Sequence, residues 1–202
     1  MLRIQPGSRI GIDLDNTLID YSESLPKILR KFGLDPQLSR NEVRAMLQNK
    51  NGTDLLWQEI QASLYTTGLE NAQIADGSIK FVKNLQLRKC EIFIISHKTK
   101  TTQVRFGGID LHQLAFDWLK NSKLPLDFVI NTNLFFSETL ALKVKKIKSL
   151  ELFLFVDDLI EVIEHLDFPK ETIGWHYRSG SVDQHKLEFA GDFNDLLRRL
   201  EE

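Results

Sequence analysis

A chain of 202 residues with a formal charge of -2, 42% hydrophobic and 27% charged residues has room for one full core and a small appended unit. The nearly neutral balance gives no electrostatic reason to bind nucleic acid or an anionic membrane, and the composition is not that of a disordered chain. Cys90 is the only cysteine, so no intrachain disulfide can form and a reducing compartment is the expected home. No apolar run of signal-peptide length precedes the first strand, and no stretch of about 18 apolar residues occurs. The reading is a cytoplasmic protein with neither a nucleic-acid nor a membrane partner.

Ile10, Ile12 and Leu14 open the chain as a buried strand, and Asn16 and Thr17 end the run as turn formers do. No convincing strand follows between Tyr21 and Gln86. Leu25, Ile28, Leu29 and Phe32 recur at helical spacing, with Pro26 tolerated in the first turn after Ser24 and Gly33 as the stop. A second helix covers Asn41 to Gln48, with Val43, Met46 and Leu47 on its apolar side. A third begins near Thr53 and carries Leu56, Trp57, Ile60 and Leu64. The expected organisation is therefore a core of residues 1–20 and 85–202 with a small helical unit, 21–84, inserted after the first strand.

Further on, helices and strands alternate. Asp76-Gly77-Ser78 starts a helix with Ile79, Val82 and Leu85 inward, leading into a strand from Cys90 to Ile95 that ends at Ser96. Asp110 caps a helix with Leu111, Leu114, Ala115, Trp118 and Leu119 as its stripe, and Phe128 to Ile130 is a short third strand. Ser137 to Lys148 reads as a helix, and Leu152 to Val156 as a continuous apolar strand ending in Asp157-Asp158. A helix with Leu159, Val162, Ile163 and Leu166, a strand Ile173–Tyr177, and a helix capped by Asp192 with Phe193, Leu196, Leu197 and Leu200 complete the chain. Phe135 and Phe136 suit either a subunit contact or, the commoner fate of phenylalanine, the core.

This alternation predicts an α/β fold, a Rossmann-like doubly wound parallel sheet, in which ligands bind beyond the carboxyl ends of the strands. Those ends carry Asp13 and Asp15, then Ser96, then Asp157 and Asp158. Side chains alternate along a strand, so Asp13 and Asp15 leave on the same side and address one small volume. Two like charges that close need a cation or a shared proton. Taken alone, the pair equally suits a strand end whose acids cap the next helix.

In this order the motifs resemble the haloacid dehalogenase-like superfamily of hydrolases. Its Asp-x-Asp-x-Thr motif matches Asp13-Leu14-Asp15-Asn16-Thr17, and its strand ending in Ser or Thr matches Ile92 to Ser96. Its strand ending in paired acids matches Phe153 to Asp158. The resemblance implies a helical C1-type cap in the insertion and an Asp13 that is both nucleophile and metal ligand. It also implies an Asp15 that protonates the leaving alcohol, deprotonates the attacking water and lends its backbone carbonyl to the metal. Asp158 is then the remaining direct metal ligand, with Asp157 orienting waters or the lysine from behind it. Ser96 and Thr17 suit phosphate oxygens. The family's lysine falls in Leu142 to Lys148, where Lys143, Lys145, Lys146 and Lys148 are candidates and most belong to a solvated face; Lys143 lies nearest the helix start and is preferred over Lys146. His97, Lys98 and Arg105 are reasonable contacts for an anionic group, and Tyr21 for the mouth of the site.

A phosphate dianion approaches four carboxylates only if positive charge is supplied, and all-oxygen ligands suit Mg²⁺. The resemblance thus implies a Mg²⁺-dependent phosphatase acting on a small phosphomonoester such as a sugar phosphate or nucleotide. Asp15 argues against dehalogenation, because dehalogenases of the superfamily have another residue there. The alternatives on the same scaffold are a phosphotransferase or phosphomutase, and a non-catalytic phosphate-binding or regulatory domain. A receiver-type phospho-acceptor domain has its acids adjacent on the first strand and its acceptor later, an order this chain lacks.

Overall fold

The computed structural model describes residues 2–48, 54–178 and 189–201. Strand β1 is Arg9–Ile12, followed by the two-residue β2, Ile19–Asp20. Helices α1 (Leu25–Lys31), α2 (Arg40–Gln48) and α3 (Asp54–Tyr65) come next, then β3 (Gln73–Ile74), which pairs with β2. Helix α4 (Ser78–Leu87) feeds β4 (Glu91–His97), and α5 (Leu111–Asn121) and α6 (Asp127–Thr132) precede β5 (Leu134–Ser137). After α7 (Leu140–Ser149) come β6 (Leu154–Asp157), α8 (Ile160–Ile163), β7 (Ile173–Tyr177), β8 (Ala190–Gly191) and α9 (Phe193–Glu201).

Six strands form one sheet in the order β5-β4-β1-β6-β7-β8, every pairing in it parallel. This is the Rossmann-like α/β sheet that the alternation predicts. Chain order reverses on either side of β1, so the carboxyl ends of β1, β4 and β6 lie side by side, which is where such sheets bind ligands. Gly11 stands opposite Phe93 of β4 and Phe155 of β6. A methyl group at Gly11 would sit 2.5 Å from Leu152 Cδ1 and 2.6 Å from Phe155 Cδ2. Phe93, Ile95, Val144, Ile147, Leu152, Phe155 and Val162 form the core cluster there, with Phe135 packed against it. Phe193 of α9 stacks with Phe81 of α4 and Tyr177 of β7 at ring separations of 5.2 and 4.9 Å.

The chain divides into two compact units. The first, Met1–Ile19, Ile74–Thr99 and Leu119–Glu202, contains the sheet; the second is Asp20–Gln73 with Lys100–Trp118. Two segments fall differently from the sequence-based boundaries. Helix α4 groups with the sheet, because its buried face of Phe81, Val82 and Leu85 includes the ring that meets Phe193. Lys100–Trp118 groups with the inserted helices, where Gln58 Oε1 accepts hydrogen bonds from Gln103 Nε2 (2.8 Å) and Arg105 Nη2 (2.6 Å). Polar contacts of that range leave no periodic trace in a sequence.

Three local expectations change. Phe128 to Ile130 is helix rather than strand: Leu126, Val129 and Ile130 are buried at helical spacing, whereas Phe128 is 75% exposed. The strand is the next apolar run, Leu134–Ser137, so α7 begins only at Leu140, where the Thr139 hydroxyl accepts from Leu142 N. Helix α8 is a single turn, and Leu166 beyond it is fully exposed. Asp192 does cap α9, accepting from Asn194 N and Asp195 N at 2.8 Å each. The predicted start of the third helix, residues 51–53, lies outside the described residues, among which no helix is long and apolar enough to cross a membrane.

Because Leu152 and Phe155 occupy the space a β-carbon would need, Gly11→Ala should destabilise the fold by about 1–3 kcal/mol through overpacking. Urea denaturation followed by circular dichroism measures this; an unchanged midpoint would show that the two side chains yield freely.

Candidate active site

Asp13 follows β1 directly, and its N–H donates to Val156 O at 2.8 Å, extending the β1–β6 ladder by one step. Beyond it the chain turns tightly. Leu18 N and Ile19 N both bond to Leu14 O, at 3.0 and 2.9 Å, and Asn16 takes a left-handed conformation with φ 61°, which asparagine tolerates better than most residues. Asp13 and Asp15 are both buried, at 4% and 7% exposure. Thr17 is wholly buried, and its hydroxyl has no hydrogen-bond partner among the described residues.

Positive charge comes from two buried lysines. Lys143 shares a stripe of α7 with Leu140, three residues before it, and Ile147, four after it, which carries its side chain inward. It is fully buried, with Nζ 2.5 Å from Asp13 Oδ1 and 2.6 Å from Asp157 Oδ2. Of the other candidates, Lys145 and Lys148 are exposed and Lys146 lies over the Phe135 ring, 4.4 Å from its centroid. Burial pushes the Asp13 carboxyl up to about 7; Lys143 opposes this, and the negative charge of Asp157 adds to it. Burial pulls the Lys143 ammonium down, but Asp13 and Asp157 outweigh it and hold its pKa above the ordinary lysine value.

Lys98 is the second, 4% exposed, with Nζ 3.0 Å from Asp15 Oδ1 and 2.9 Å from Oδ2. Ser96 Oγ donates to the same carboxylate at 3.3 Å. Lys98 N bonds to Ser137 O at 3.0 Å, which carries the β4–β5 ladder past His97 and keeps this segment extended. Side chains therefore alternate through it: Ser96 and Lys98 share one side, and His97 takes the other. His97 is exposed, its Nε2 3.2 Å from Glu138 O. Sequence reasoning placed His97 and Lys98 together as anion contacts; the parity of an extended segment was the signal that separates them. In the second unit, Tyr21 is buried with its ring 5.9 Å from that of Tyr65, and Arg105 lies over the Phe106 ring besides bonding to Gln58.

Beyond β6, Asp157 is fully buried and held at both oxygens, Oδ1 accepting from Leu159 N at 2.9 Å and Oδ2 paired with Lys143. Asp158 is half-exposed, and its backbone oxygen is 3.1 Å from His176 Nε2. One carboxylate oxygen from each of Asp13, Asp157 and Asp158 lies within 4.8 Å of the other two. An all-oxygen set of this kind, containing a buried acid whose ionisation is disfavoured, fits a hard divalent cation. The Asp15 carboxylate is not in that set; it is turned to Lys98 and Ser96.

No known family profile matches the sequence, and no curated protein matches it. Solved structures do. A haloacid dehalogenase-like family hydrolase from Streptococcus pneumoniae superposes with a TM-score of 0.61 at 14% identity, covering 96% of this chain and 98% of that one. A predicted phosphatase from Clostridium acetobutylicum gives the same score, identity and coverage. A phosphoserine phosphatase holding an analogue of its phospho-aspartyl intermediate gives 0.57 at 15% identity, over 97% of this chain and 100% of that one. The chain thus has the fold of the haloacid dehalogenase-like hydrolases.

Proposed function

We propose that the protein is a Mg²⁺-dependent phosphatase that hydrolyses a small phosphomonoester through an aspartyl phosphate on Asp13. The observation that carries this reading is the placement of two buried aspartates at one strand end, Asp13 against Lys143 and Asp157, Asp15 against Lys98 and Ser96. The phosphoserine phosphatase of the same fold, with its phospho-aspartyl analogue, supports it. Asp13 and Asp158 would hold the cation directly, and Asp157, already tied to Lys143, would orient that lysine. When bound, the metal supplies the positive charge that lets a phosphate dianion approach these acids.

The remaining steps belong to the chain's own side chains. A carboxylate oxygen of Asp13 forms a bond to phosphorus while the ester P–O bond breaks, and the leaving oxygen takes the proton of Asp15. Water then attacks the same phosphorus, giving its proton to Asp15, and the bond to Asp13 breaks to release phosphate. Lys143 neutralises charge on the Asp13 side throughout. The Ser96 and Thr17 hydroxyls bind phosphate oxygens in this reading, and the inserted helices take the part of a C1-type cap. Sugar phosphates and nucleotides are the substrate classes proposed.

Purified protein should hydrolyse nitrophenyl phosphate with Mg²⁺ and lose activity with a chelator, and Asp13→Asn should lower turnover by at least about 10³-fold, as loss of a nucleophile does. No metal-dependent turnover across a panel of phosphate esters, together with an inert Asp13→Asn exchange, would falsify the assignment.

Metal binding should depend on pH. Without metal, Asp13 keeps its proton below about 7, and a cation must displace that proton. Mg²⁺ affinity by titration calorimetry should therefore be steady above this value and fall about tenfold per pH unit below it. An affinity that does not change between pH 8 and pH 5.5 would remove Asp13 from the ligand set.

A further inference from the structure

We propose that Lys98 is a positioning residue for Asp15: its ammonium, with the Ser96 hydroxyl, fixes the Asp15 carboxyl where the leaving oxygen of a phosphate ester forms. The proposal rests on the phosphatase reading and adds to it a residue whose work depends on the leaving group.

The geometry is specific. Lys98 Nζ lies 3.0 and 2.9 Å from the two oxygens of one carboxylate, and both side chains are almost wholly buried. The long stem of a lysine can be buried while its charge stays wet. Lys98 instead bears the cost of desolvating its charge beside Asp15, and in return the pair fixes the direction of both side chains. The backbone is fixed as well: Lys98 N is tied to Ser137 O, and β4 is registered on β1 through Ile94 and Ile12. Rotation about the last torsion of Asp15 would move its proton away from the leaving oxygen, and an error of about 1 Å in such a contact costs roughly 10²-fold in rate.

Phosphate charge does not require Lys98, because Lys143 already stands against the nucleophile. Each aspartate of the motif has its own lysine, one from α7 and one from the end of β4.

Two esters of similar size, whose organic groups carry no charge while esterified, separate this role from substrate anchoring. With benzyl phosphate, the ester oxygen takes the Asp15 proton as its P–O bond breaks and departs as benzyl alcohol. With nitrophenyl phosphate, the oxygen departs as nitrophenolate and the proton stays on Asp15. The constant kcat/KM reports events through transfer to Asp13. In Lys98→Met it should fall about 10²-fold for benzyl phosphate, within the usual reach of general acid catalysis, and at least about tenfold less for nitrophenyl phosphate. Lys98→Gln, which keeps a donor, should recover part of the loss, and carries the test alone if the Met variant does not fold. In an Asp15→Asn background the Lys98 exchange should add nothing for benzyl phosphate, as coupled residues behave. Equal losses on both esters, seen mainly in KM and persisting without Asp15, would make Lys98 a phosphate anchor and overturn the proposal. Absence of Mg²⁺-dependent turnover by the unaltered protein would instead overturn the phosphatase reading itself.

Discussion

Carboxylates gathered out of water are the constraint on which this structure turns. Asp13, Asp15 and Asp157 are all buried at one end of a sheet, with Asp158 half-exposed beside them. Ionised together and unpaired they would oppose folding, because desolvation and mutual repulsion both act against the charged forms. Lys143 and Lys98 answer that constraint in part, and Asp13 shows the residue of it, its carboxyl held near 7 by burial despite the lysine in contact. Such an arrangement is weak as a source of stability, since well-packed apolar side chains of the same volume commonly do as well or better. Burial of such a cluster at one end of a sheet is what marks it as a candidate functional site.

The sheet is built so that this gathering is possible. β1 runs between β4 and β6, and all three are parallel, so their carboxyl ends deliver the Asp13 segment, Ser96 with Lys98, and Asp157 with Asp158 to one place. Close packing over β1 depends on Gly11, whose missing side chain is replaced by Leu152 and Phe155. Leu152 lies two residues before β6 and Phe155 lies within it, so the contact that seals the core also sets where the paired acids emerge. Helix α7 lies on the same cluster through Val144 and Ile147, and that docking puts Lys143 between Asp13 and Asp157. Core packing and charge placement are thus one arrangement.

Much of this was legible in the sequence, because it follows from short-range rules. Alternation of apolar runs and helical stripes predicts the doubly wound sheet; period-two reasoning aims Asp13 and Asp15 at one small volume, whereas their carboxylates have separate partners. Lys143 could be preferred among four lysines because it lies nearest the start of its helix, where the resembled family carries its lysine; its shared stripe with Leu140 and Ile147 was not used. What escaped depended on distance or on competing readings of one run. Val129 and Ile130 are strand formers by type, but with Leu126 they also make a helical face, and the stronger strand six residues on takes the place in the sheet. Lys100–Trp118 joins the inserted helices through Gln103 and Arg105, which meet Gln58 some 45 positions away. Nothing local announces such a bond.

The two aspartates of the motif are chemically identical and two residues apart, yet their surroundings differ in kind. Asp13 faces a second carboxylate and a lysine that it shares with Asp157; Asp15 faces a lysine at both of its oxygens and a serine hydroxyl. One has a carboxylate oxygen clustered with those of Asp157 and Asp158, and the other is held by donors. Like groups can take unlike roles when their surroundings differ in kind, and the proposed function draws on that difference. Here the difference traces to topology. The helix after β5 reaches Asp13 and the extension of β4 reaches Asp15, so the neighbours of each aspartate are settled by which strand end lies beside it. A parallel sheet with β1 at its centre supplies two different neighbours at once, and an edge strand bearing the same motif would have only one.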